Sequence, residues 1–176
     1  MIIGSNLKQL LNGKTVLINN ISRSIQFYYG DQKEYLRWIA DKNNAGLQKY
    51  PLIWYVLADY KDLDKSYEVT SNLIIATDTK LEWFNETRNL NTFKAILEPT
   101  YEVLKDFLKT NQNIDLLSEL VLTSYPHYSV DTNDLRTSAN DFTRTSQKGT
   151  LNLGTDLIDA ISLKVKFRIK KDLCLI

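Results

Sequence analysis

Cysteine and histidine are almost missing from this 176-residue chain, which has one of each, Cys174 and His127. A single cysteine excludes an internal disulfide framework and any zinc site built on several thiolates. A single histidine removes most metal sites and most acid–base schemes that use imidazole. Glycine is scarce, and its six copies are scattered, so no Gly-rich loop is present to cradle phosphates. A Gly-x-Ser-x-Gly nucleophile elbow is also absent. Neither sign of charge dominates: 22 Lys and Arg stand against 21 Asp and Glu, a net charge of +1. A protein that binds nucleic acid through bulk charge is far more basic than this. No run approaches the roughly 20 apolar residues that cross a bilayer. Met1 to Leu11 holds one lysine and no long apolar stretch, unlike a secretory signal. The expectation is a protein of a reducing cytosol, or of a particle assembled there, with no membrane partner.

What is present is apolar and aromatic. Hydrophobic residues make up 43% of the chain, with ten Tyr, six Phe and three Trp, which excludes disorder of the whole chain. At this length a single domain, 1–176, buries roughly 70% of its unfolded surface. Leu7, Leu10 and Leu11 mark a short helix over Asn6 to Leu11 that Gly13 ends. Thr15 to Ile18 and Ser24 to Tyr29 are strand-like. Asp31 and Glu34 have capping-box spacing and open a helix that Asn43 to Gly46 closes, with Tyr35, Leu36 and Ile39 on one face. Pro51 to Leu57 is a buried strand, and charged Asp59 to Lys65 a loop. Tyr67 to Thr77 starts with the alternation of an edge strand and ends with the apolar run of a central one.

The longest helical signal spans Thr87 to about Thr110. Leu90, Phe93, Leu97, Tyr101, Leu104 and Leu108 recur at steps of three or four. Pro99 falls inside, and the surviving register predicts one kinked helix. Residues 123–156 change character: Ser, Thr, Asn and Asp fill 18 of 34 positions. Such a segment builds little core and is long for a connection, so it reads as a projecting polar loop or hairpin. The final strand is the clearest element. Ile161, Leu163, Val165, Phe167 and Ile169 alternate with Ser162, Lys164, Lys166, Arg168 and Lys170, giving one buried face and one basic face.

Few residues can carry chemistry. His127 sits in Tyr125-Pro-His-Tyr128 and Cys174 near the end of the sequence, neither beside a partner for nucleophilic catalysis. Asp156 and Asp159 are short of companions for a divalent metal; a turn before a strand is the alternative. Charge is polarised, however. Residues 111–160 hold seven acidic and three basic side chains, and residues 161–176 five basic and one acidic. Lys164, Lys166, Arg168 and Lys170 therefore mark an oligomer or channel interface, or lysines that blunt an edge strand. Trp83, Phe84 and Arg88 are a second candidate interface, since Trp and Arg are frequent anchors; packing under the sheet is the alternative. No catalytic, cofactor or metal residue is assigned.

Several phrases share an order with a known group. Tyr50-Pro51-Leu52-Ile53 opens a strand, Leu73-Ile-Ile-Ala-Thr77 precedes Trp83 and Arg88, Phe93 to Tyr101 leads along the helix, and Asp156-Leu-Ile-Asp-Ala-Ile161 begins the last strand. This resembles small virion proteins from the head–tail gene blocks of phages, particularly of Bacteroidetes phages, and more distantly tail-terminator and neck proteins. It covers residues 50–110 and 156–170, and departs where Ser162 and Lys164 stand in place of an expected acidic residue. The resemblance implies an α+β fold, with a mostly antiparallel sheet and the long helix on one face. It also implies a non-enzymatic virion protein, assembled in the host cytoplasm as a homo-oligomeric ring at the head–tail junction. Portal, neck or tail-tube proteins are then its neighbours, and channel DNA lies close. The competing classes are a metal-dependent nuclease using Asp156 and Asp159, and a monomeric adaptor for a host protein.

Overall fold

A computed structural model describes residues 2–80, 82–128 and 157–171. The fold is α+β: two shorter helices and one long one surround a mixed seven-stranded sheet, with a two-stranded hairpin beside it. Helix α1 (Ile2–Leu11) buries Ile3, Leu7 and Leu11 at four-residue spacing. Strands β1 (Thr15–Ile18) and β2 (Ile21–Ser24) form the hairpin. Its two turn residues, Asn19 and Asn20, both adopt positive φ, the conformation a tight two-residue turn demands and asparagine tolerates. The expected strand over Ser24 to Tyr29 is thus divided between β2 and β3 (Gln26–Gly30).

Helix α2 (Gln32–Asn44) starts at Asp31 with both bonds of the capping box: the Glu34 N–H donates to Asp31, and the Asp31 N–H to Glu34. It crosses over to β4 (Leu52–Val56), which runs parallel to β3. All other pairings of the sheet are antiparallel: β4 with β6 (Ser66–Asp78), β5 (Tyr60–Asp62) with β6, and β6 with β9 (Ile158–Lys170). Strands β7 (Ile114–Leu116) and β8 (Val121–Tyr128) lie end to end along the other side of β9. Three short expectations change here. Part of the charged 59–65 stretch is a strand, and residues 123–128, the start of the segment read as a loop or hairpin, belong to β8. Residues 129–156, the rest of that segment, lie outside the described residues. Strand β6 is central throughout, and its early alternation comes from one face being open.

The sheet separates two cores. Odd-numbered residues of β6 and β9 (Val69, Leu73, Ile75, Ile161, Leu163, Val165, Phe167 and Ile169) pack with α1 and the long helix. Even-numbered Ile74, Ala76, Ile158 and Ala160 pack with Tyr35, Ile39 and Trp54 beneath α2. There the Tyr35 ring stacks on Trp54 with centroids 4.4 Å apart, while the indole N–H donates to the Gly30 carbonyl at 3.1 Å.

The long helix runs without a break through Pro99, as expected of one helix rather than two, but where a kinked α-helix is expected its middle is π-helical. Asn85–Arg88 and Glu98–Thr110 are α-helical and flank a π-helical stretch, Asn89–Leu97. The Glu98 N–H bonds five residues back to Phe93, and Pro99, with no N–H, follows at the start of the last segment. The wider turn rotates the buried face. The inward positions are Arg88, Thr92, Leu97, Thr100, Leu104, Phe107 and Leu108, with a step of five between 92 and 97. Leu90, placed in the stripe by a regular period, instead lies 60% exposed.

Candidate interaction surface on the open half of the sheet

One face of the sheet is covered along its length and the other only in part. Helix α2 ends its cover near Ile74 and Ser162, and beyond them the even-numbered side chains of β6 and β9 are open to solvent, except Glu68, which its neighbours leave only 8% exposed. Asn72, Thr70, Lys164 and Lys170 are exposed. The alternation of β9 sets this up: its odd residues are fixed in the core, so Lys164, Lys166, Arg168 and Lys170 must point the other way. The expectation for that strand is met side chain by side chain.

Strand register adds what periodicity does not contain. Lys61 of β5 stands opposite Glu68 of β6, Glu68 opposite Arg168 of β9, and Arg168 opposite Asp115 of β7. Four strands thus carry one row of alternating charge, a pattern that stabilises cross-strand neighbours. Glu68 is the centre of it. Its Oε2 accepts from Arg168 Nε at 2.9 Å and from Nη2 at 2.8 Å, while its Oε1 lies 3.1 Å from Lys166 Nζ. These bonds, Arg168 first, hold the Glu68 carboxyl below the usual glutamate range. A shallow depression of about 250 Å³ lies beside it, floored by Thr70 and walled by Tyr60 and Lys61.

Of the two readings of these cations, one needs correction. The lysines do not blunt an edge, because β9 is flanked by β6 on one side and by β7 and β8 on the other. Lys166 and Arg168 share Glu68 of their own chain. The cations of this face with no ion pair among the described residues are Lys61, Lys164 and Lys170. Lys61 and Glu68 were missed in the sequence because nothing local links a three-residue strand to its neighbour. The one available signal was Glu68 within the alternating Tyr67-Glu68-Val69-Thr70.

Trp83, Phe84 and Arg88 do not form one surface. Phe84 is 84% exposed, Trp83 is half-buried with Lys80 over its ring, and Arg88 is buried. Arg88 Nε lies 3.3 Å from Asp159 Oδ1, with the two side chains 3% and 0% exposed. Arg88 Nη2 also donates to the Trp83 carbonyl at 2.6 Å. The Thr92 hydroxyl bonds Asp159 Oδ2 at 2.6 Å and the Arg88 carbonyl at 2.7 Å. Arg88 is therefore a packing residue, and Asp159 has both oxygens committed to it and to Thr92. The competing metal pair fares accordingly: Asp159 faces the long helix, and Asp156 lies outside the described residues. Among the described residues, no three His, Cys, Asp or Glu side chains gather closely enough to hold a metal ion. Among them too, no helix is long and apolar enough to cross a membrane. His127 falls on β8, and Cys174 lies outside the described residues. The chain matches no protein-family model, no curated protein and no solved structure.

Proposed function

We propose that this protein is a non-catalytic assembly subunit of a phage particle, a tail-terminator-like or neck ring component that meets its neighbours through the open half of its sheet. The observation that carries the reading is that face: polar and rich in cations, on a central strand rather than on a loop. Lys61, Lys164, Lys166, Arg168 and Lys170 outnumber Asp59, Glu68 and Asp115 there, so an acidic protein surface is the complementary partner. The ordered resemblance of residues 50–110 and 156–170 to head–tail proteins supports the placement in a virion. A mixed sheet backed by one long helix is compatible with it.

Light scattering on the purified chain tests the reading. A mass several times 20.4 kDa is expected, with ring-shaped particles by electron microscopy. Lys164→Glu with Lys170→Glu should dissociate them, most completely at low salt, where screening is weakest. These two are the informative positions because neither has an ion pair among the described residues, whereas Lys166 and Arg168 share the single negative charge of Glu68. A monomer at every concentration would sink the ring, and metal-dependent DNA cleavage would revive the nuclease.

A further inference from the structure

We infer that Asn12–Gly13, in the turn between α1 and β1, is a self-modification site at which the asparagine converts to aspartate and isoaspartate. The inference does not rest on the ring reading, and it concerns a different part of the chain.

The reaction needs a backbone nitrogen free to attack the side chain before it. This is the one Asn-Gly pair in the sequence. Glycine puts no side chain in the way of ring closure and lets the backbone rotate widely. Gly13 has a φ of +77°, and a Cβ placed on it would meet nothing within 4 Å. Both residues are exposed. The neighbouring donors are committed: Asn12 N–H reaches the Gln9 carbonyl at 3.3 Å, and Lys14 N–H the Leu11 carbonyl at 3.1 Å. Gly13 N–H, between them, donates to no acceptor among the described residues, and the Asn12 side chain is bonded to none of them. Nucleophile and electrophile are thus adjacent, exposed and free. Asn44–Ala45 is the contrast. Asn44 is exposed as well, but Ala45 N–H bonds the Asp41 carbonyl at 3.0 Å at the end of α2, which holds that nitrogen in the helix.

The Gly13 nitrogen gives up its proton and attacks Asn12 Cγ. The bond from that nitrogen to Cγ forms, the bond from Cγ to the side-chain nitrogen breaks, and ammonia leaves with the proton. The product is a cyclic imide, and water opens it at either carbonyl. Opening at the side-chain carbonyl gives aspartate. Opening at the main-chain carbonyl reroutes the backbone through Cγ and gives isoaspartate. Either product adds one carboxylate, so the net charge of the chain falls from +1 to zero. That carboxylate stands just past the C-terminal end of α1, the end of a helix that disfavours negative charge. Isoaspartate also lengthens the backbone of a turn that is held on both sides. Lys14 N–H is bonded to Leu11, the Lys14 carbonyl accepts from Ile25 N–H at 2.9 Å, and Leu11 and Val16 are buried on either side. The conversion therefore alters the junction of α1 with the hairpin as well as the charge.

The full chain stored folded in mildly alkaline buffer, beside the same chain stored in urea, tests the site by peptide mapping with mass spectrometry. Asn12 should be the first of the described asparagines to gain the mass of an amide-to-acid exchange. Its rate in the folded chain should lie within about tenfold of the rate in urea, since a site that must open first lags by its opening equilibrium. Asn44 should stay unchanged in the folded chain over the same time. An isoaspartyl methyltransferase with labelled S-adenosylmethionine should then methylate the peptide that holds residue 12. Asn12→Gln should remove both signals, because its longer side chain closes the ring far more slowly. An Asn12 that stays intact in the folded chain while it converts in urea would overturn the inference, as would earlier conversion of Asn44. A mass gain at Asn12 without methyl acceptance would overturn it too, because the cyclic imide would then not have formed.

Discussion

Strand β9 carries two ion-paired clusters that differ in nearly every physical respect. Near its start, Asp159 faces the long helix and is enclosed by Arg88 and Thr92, with no access to water. Near its end, Arg168 and Lys166 face the open half of the sheet and share Glu68, their own side chains 44% and 43% exposed. The buried cluster is costly to desolvate and ruinous to half-remove, so it dictates geometry. Arg88 and Thr92 reach Asp159 together because the π-helical stretch turns both inward and Leu90 outward. In the second cluster the Glu68 side chain is only 10% exposed, but both of its cations are open to solvent, so the pairs are screened and add less to stability, while they fix the charge pattern that a neighbour would meet. One strand thus holds the fold together at one end and presents a surface at the other.

Breaking the buried cluster should have the largest effect. Asp159→Ala leaves the Arg88 guanidinium buried without its carboxylate and should cost about 3–5 kcal/mol, measured by urea denaturation. Replacing both partners, Arg88→Met with Asp159→Leu, should recover most of that loss, since an apolar pair avoids the desolvation penalty. Equal instability of the single and double variants would show that the cluster is needed for more than its charge balance.

Thr92→Val keeps the shape of the side chain and deletes only the hydroxyl. It should cost about 2 kcal/mol, the scale of a buried hydrogen bond to a charged group. A loss as large as that of Asp159→Ala would mean that Thr92, and not Arg88, is the chief support of the carboxylate. Thr100→Val is the internal control. Thr100 is fully buried as well, yet among the described residues its hydroxyl bonds only the Ile96 carbonyl of its own helix, and the cost should be smaller.

How much of this was legible in the sequence follows from the range of the interactions. The capping box at Asp31 and Glu34 was readable because its partners are three residues apart. The two faces of β9 were readable because alternation is local, and Ile161 to Ile169 keep it without a break. The long helix was readable in extent but not in register: a regular period put Leu90 inside, and nothing in the sequence announces a π-helical turn. Arg88 stood between an interface anchor and a packing residue, and the sequence could not choose, since its partner lies 71 positions away on β9. The parallel pairing of β3 with β4, the strands β5 and β7, and the Lys61–Glu68–Arg168 row all depend on which strands become neighbours. Of the candidate surface, then, the cations of β9 were legible, and Lys61 and the counter-charge Glu68 were not.

The exposed cluster should give the smallest effect and the one most dependent on conditions. Bonding to Arg168 and Lys166 holds the folded Glu68 carboxyl below its ordinary pKa, which is near 4.3 in an unfolded chain. Between those two values the unfolded chain binds the extra proton, so stability rises with pH there. The contribution of Glu68 is complete above the ordinary glutamate range and is lost as pH falls through the depressed folded value. Glu68→Gln removes the titrating group and keeps the shape. Urea denaturation of both proteins from about pH 6 down to about pH 3 should show a modest deficit for Glu68→Gln at the upper end that closes as pH falls. Added salt should narrow the same deficit, because half-exposed cations are open to screening. Curves that stay parallel across that range would mean that Lys166 and Arg168 do not stabilise the Glu68 charge in solution. The open face would then carry two more unpaired cations than the structure assigns it.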